Sequence, residues 1–83
     1  ANADGSNSVS LGSNTQSEGN FSTALGYSST ASGSASISIG STSTASGVGS
    51  IALGNLAKSR GSSSTALGEG AQANQDRSIA IGS

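Results

Sequence analysis

The chain has no cysteine, histidine, proline, methionine or tryptophan. Without cysteine there is no disulfide framework and no thiolate metal site. Without histidine or cysteine the commonest catalytic bases and nucleophiles are missing, and no serine has a candidate base beside it to activate it. The carboxylates Asp4, Glu18, Glu69 and Asp76 are scattered along the chain rather than paired. No catalysis and no cofactor are therefore expected. Charge is scarce too, with three basic and four acidic residues among 83. That leaves no basic stripe, and one Phe and one Tyr make no stacking platform, so nucleic acid is excluded as a partner. No apolar run approaches the length of a membrane-spanning helix, and no signal peptide is visible. No glycine is followed by the Lys-Ser/Thr of a phosphate-binding loop. The turns also lack the aspartate that a calcium-binding β-roll carries in each repeat.

What is present is order. Ser8-Val9-Ser10-Leu11-Gly12 returns fourteen residues later as Ser22-Thr23-Ala24-Leu25-Gly26. Four more in-phase copies begin at Ser36, Ser50, Ser64 and Ser78, with no insertion or deletion. A second glycine lies midway, at Gly5, Gly19, Gly33, Gly47 and Gly61, and Gln75 takes the sixth such place. Eleven of the thirteen glycines thus lie on a seven-residue lattice, with Gly49 and Gly70 off it. A regular glycine lattice predicts regular turns at positive φ. It also rules out a helix, where each glycine would cost about 1 kcal/mol relative to alanine. Collagen is ruled out because glycine is not every third residue and proline is absent.

Between the turns, apolar and small residues alternate with the period of a strand. Two strands per repeat and six repeats predict an all-β parallel solenoid of about six coils. At roughly 4.8 Å per coil it would be a rod about 29 Å long. One strand of each coil carries Val9/Leu11, Thr23/Leu25, Ile37/Ile39, Ile51/Leu53, Thr65/Leu67 and Ile79/Ile81. By the usual preference of aliphatic side chains for the interior, these are expected to point inward. The other strand would meet them with small residues, from Ala1/Ala3 and Thr15/Ser17 to Ala71/Ala73. The outward places of the first strand are then all Ser or Ala. A face so restricted suggests close approach of another backbone, and Ser10, Ala24, Ser38, Ala52, Ala66 and Ala80 are the expected subunit interface. The outward places of the second strand are polar and should meet water.

The repeat resembles the head repeat of YadA-like trimeric autotransporter adhesins of Gram-negative bacteria, whose pattern is Asn-Ser-Val-Ala-Ile-Gly followed by Ala-x-Ala-x-Gly. Asn7-Ser8-Val9-Ser10-Leu11-Gly12 is the nearest copy, and Ala31-Ser32-Gly33 and Ala45-Ser46-Gly47 match the second half. The resemblance covers the whole chain. It implies a left-handed parallel β-roll assembled as a homotrimer, with residues 1–83 a single head-repeat domain cut from a longer fibrous protein. It implies a bacterial cell-surface location, anchored in the outer membrane through a C-terminal region absent from this chain. It further implies attachment to host extracellular-matrix proteins or cells. Only one repeat keeps the leading Asn, so binding of collagen in particular is not carried over. A rigid spacer with no ligand of its own is the alternative. An ice-binding solenoid would need a Thr-x-Thr in every coil, and only Thr42/Thr44 has that spacing.

Few residues break the repeat, and these are the candidate ligand surface. Lys58 and Arg60 form a basic spot on the polar face, with Arg77 as a possible extension. Phe21 and Tyr27 flank one coil at its two turns. Each has a plainer reading, as solvated charges that deter edge pairing or as packing against a neighbouring chain.

Overall fold

The computed structural model describes residues 2–82. They form a parallel β-solenoid of six coils and two six-stranded sheets. One sheet stacks β1 (Asn2–Ala3), β3 (Gln16–Ser17), β5 (Thr30–Ala31), β7 (Thr44–Ala45), β9 (Lys58–Ser59) and β11 (Gln72–Ala73) in that order. The other stacks β2 (Val9–Leu11), β4 (Thr23–Leu25), β6 (Ile37–Ile39), β8 (Ile51–Leu53), β10 (Thr65–Leu67) and β12 (Ile79–Ile81). Every pairing is parallel with a shift of fourteen residues; Ile37 lies opposite Ile51, and Thr44 opposite Lys58. Equivalent places therefore stack into columns. The result is a thin plate with principal extents of 27 × 21 × 11 Å.

The turns differ in kind from the simple glycine hinge expected. Gly40 does turn at positive φ, 130°, as do its equivalents in the other coils. Gly33 and its equivalents do not; there glycine is required by crowding. A Cβ on Gly33 would lie 2.1 Å from the carbonyl oxygen of Gly47 in the next coil. A second left-handed place falls two residues after each position of the seven-residue lattice from Gly5 to Gln75. It is adopted by Asn7, Asn14, Phe21, Ser28, Ala35, Thr42, Leu56, Ser63 and Arg77, and by the two off-lattice glycines, Gly49 and Gly70. The conformation is held by a backbone bond to the preceding coil; Thr42 donates its N–H to Tyr27 O at 2.7 Å. A Cβ on Gly61 would likewise lie 2.1 Å from the carbonyl oxygen of Gln75, the one residue other than glycine at these places.

The interior is the reverse of the one expected. None of the aliphatic residues of β2, β4, β6, β8, β10 and β12 is buried, while the middle residues Ala24, Ser38, Ala52 and Ala66 are wholly inaccessible. Ser22, Ser36, Ser50 and Ser64 are equally buried. They face Thr15, Ser17, Ser29, Ala31, Ser43, Ala45, Ala57, Ser59, Ala71 and Ala73 of the other sheet, which the sequence placed inside correctly. Ala3, also expected inside, is exposed in the first coil, and Ala1 lies outside the described residues. The physical reason is width. A fourteen-residue coil with strands of two and three residues brings its sheets so close that only Ala, Ser and Thr fit between them. Leucine or isoleucine there would overpack the space.

A core of serine must satisfy its hydroxyls. Ser22 donates to Gly19 O at 2.6 Å and accepts from Ser17 at 2.6 Å. Ser64 does the same with Gly61 O at 2.7 Å and Ser59 at 2.5 Å. Ser10 pairs with Thr15, and Ser38 with Ser43, at the other end of the coil. Each bonded pair joins residues five apart. The hydroxyls of Ser29, Ser36 and Ser50 have no partner, and the residues five places before them are Ala24, Ala31 and Ala45. Ala45→Ser should therefore complete the Ser50 site as Ser59 completes Ser64. It is expected to raise stability by about 1 kcal/mol, read as a higher urea midpoint with unchanged slope.

Candidate functional surfaces

Among the described residues no pocket indents the plate, and no cluster of three His, Cys, Asp or Glu could hold a metal ion. What the molecule offers a partner is its two broad faces and its two turn edges.

The first face carries the aliphatic columns. Period-two alternation in a three-residue strand puts the middle residue inside and its two neighbours outside. Val9, Leu11, Leu25, Ile37, Ile39, Ile51, Leu53, Leu67, Ile79 and Ile81 thus make a continuous outer wall, interrupted only by Thr23 and Thr65. Stacking half-covers the side chains of the central coils, whereas Leu11 and Ile81 are 61% and 75% exposed. Monomeric soluble proteins rarely leave contiguous apolar patches beyond a few hundred Å² open to water. The wall here runs through all six strands of its sheet.

This finding corrects the expected interface. Ala24, Ser38, Ala52 and Ala66 cannot touch another chain, since they lie inside their own coil. Ser10 and Ala80, in the first and last coils, point the same way and are only partly open. The backbone that approaches this face closely is the facing strand of the same chain. A one-residue change of phase exchanges the two faces of a strand. The signal that could have fixed the phase was that the places of both strands held strictly to Ser, Ala and Thr form one set, the mark of a narrow interior.

The second face is the outer side of β1, β3, β5, β7, β9 and β11. It is polar, as expected. Lys58 on β9 and Arg60 just after it both project outward, and Arg60 Nη1 donates to Asn74 Oδ1 of the next coil at 3.3 Å. Phe21 and Tyr27 are more than half exposed but lie on opposite edges, one in the turn before β4 and one in the turn after it. Arg77 shares the edge of Phe21, in the same left-handed turn place, rather than extending the basic spot. The four candidate ligand residues are thus not gathered into one site. Val48 and Leu56, which the sequence reading passed over, are also exposed at turns. Asn20 and Asp76 there accept the backbone N–H of Ser6 and Ser62 in the preceding coil, at 3.0 and 3.1 Å.

The described residues thus form a parallel β-solenoid with a polar face, a small-residue core and an aliphatic face that is open on the single chain. Residues 3–29, 31–57 and 59–83 match the YadA head domain repeat, each stretch covering two copies. The chain belongs to the YadA head family. No curated protein matches it.

Proposed function

We propose that this chain is a non-enzymatic head segment of a trimeric autotransporter adhesin, displayed on the bacterial surface and attaching it to host extracellular matrix or cells. The observation that carries the reading is the uncovered aliphatic wall on a chain of the YadA head family. Three left-handed rolls packed wall to wall would hide those side chains and turn three polar faces outward. Contacts on such faces are individually weak, and they gain strength by repetition over three subunits and many fibres. Lys58 and Arg60, on the polar face, remain available to a ligand in that arrangement.

The test is to replace the segment in its parent fibre by an unrelated spacer of equal length and to measure attachment to immobilised matrix proteins and to host cells. Attachment should fall with fibre number and length unchanged. Full attachment without the segment would show it to be a spacer.

A further inference from the structure

The polar face carries four of the chain's seven charges, and they are segregated along the stack. Asp4 and Glu18 stand in the first two coils, Lys58 and Arg60 in the fifth. All four project from the same sheet, and Asp4, Glu18 and Arg60 belong to one column, since that sheet pairs equivalent places in register throughout. The two coils between carry only Thr30, Ser32, Thr44 and Ser46 outward, all short and uncharged. The face is thus neutral in sum, acidic at one end, basic at the other and low in the middle.

We propose that this face binds a second copy of itself, antiparallel, about a two-fold axis that runs along the strands between the third and fourth coils. That rotation lays coil two on coil five, so Glu18 of each copy meets Arg60 and Lys58 of the other. It lays the short Thr/Ser coils on one another, where two backbones can approach. Asp4 falls opposite the sixth coil, whose Asn74 already holds the Arg60 guanidinium. The parallel alternative, in which each coil faces its equivalent, puts Glu18 against Glu18 and Arg60 against Arg60, and like charges at contact are unfavourable. A plate face bounded by 27 × 21 Å falls short of the roughly 800 Å² per partner typical of a stable pair. The association is therefore weak for one pair and gains strength when many heads meet at once. It uses the face opposite the aliphatic wall, and so it adds to any assembly built on that wall and does not depend on a host ligand.

The test is sedimentation velocity of the chain between about 1 M and about 0.01 M salt, over which the Debye length rises from about 3 Å to about 30 Å. The species at high salt is the baseline, and reversible association of that species into larger ones is expected at low salt. Glu18→Arg and Arg60→Glu should each abolish the low-salt association, and the double exchange Glu18→Arg/Arg60→Glu should restore it. Because the chain has no cysteine, single cysteines report the orientation. Ser32→Cys, half a coil spacing from the axis and one spacing from its mate, should be trapped with that mate by a short bis-maleimide at low salt. Asp4→Cys should not, since antiparallel copies hold those places about five coil spacings apart, roughly 24 Å. Absence of low-salt association, association that survives Glu18→Arg, or equal trapping of Asp4→Cys and Ser32→Cys would each overturn the proposal.

Discussion

Ala52→Leu is expected to unfold the head, although it replaces a small side chain by a more hydrophobic one. Ala52 is completely buried in the fourth coil, in a column between Ser38 and Ala66, which are equally buried. The plate is only 11 Å through. Three added carbons have nowhere to go except against the facing strand, and the flanking coils hold the backbone in register on both sides. Overpacking of an ordinary core costs about 1–3 kcal/mol. Here every coil is as narrow as its neighbours, so the gap cannot widen at one level alone, and a loss of about 3 kcal/mol or more is expected. Urea unfolding followed by circular dichroism would measure it. A neutral or stabilised Ala52→Leu would mean that the interior is wider than the structure places it.

The second large effect is the converse. Ile51→Asp with Leu53→Asp changes the two residues that flank Ala52 on the same strand, and both point outward. The core of the coil is untouched. If this wall is covered by other subunits, each of them would bury unpaired carboxylates. A buried charge without its partner costs about 3–5 kcal/mol, which weakens association about 10²- to 10³-fold or more. The expected outcome is a chain that sediments as a single copy and retains a β-rich circular dichroism spectrum. An unchanged oligomer would show that the aliphatic wall is not the interface. Adjacent residues of one strand are thus predicted to fail in different ways, Ala52 through folding and Ile51 and Leu53 through assembly.

The contrast also shows what was legible in the sequence. The in-phase copies from Ser8 to Ser78 and the glycine lattice carried the architecture: two strands per coil, six coils, no helix. The polar columns of β3, β5 and β7 were readable because Gln16, Glu18, Thr30, Ser32, Thr44 and Ser46 leave little doubt about which side meets water. The phase of β6 and β8 was not readable by the same rule. Val9, Ile37 and Ile51 are of the kind that is generally buried, yet they stand on the outer side of the coil rather than within it. A single-chain reading of hydrophobicity does not distinguish the two. The left-handed turn places were missed because residues as unlike as Asn7, Phe21, Thr42 and Leu56 occupy them. The coil-to-coil hydrogen bond that holds them, such as Leu56 N–H to Ser41 O at 2.9 Å, makes no demand on the side chain. Gly49 and Gly70 were the clue: they sit at the same seven-residue spacing, in the place where glycine is least strained.

The aliphatic side chains of this chain stand on its outside, and the proposed trimer accounts for them by covering the wall with two other copies. The most direct measurement is its mass in solution by sedimentation equilibrium, at a salt concentration high enough to screen the charges of the polar face. The prediction is three copies of the 7.8 kDa chain, held together without dissociation on dilution to the micromolar range. A stable, folded single chain with its Ile and Leu columns open to water would contradict it.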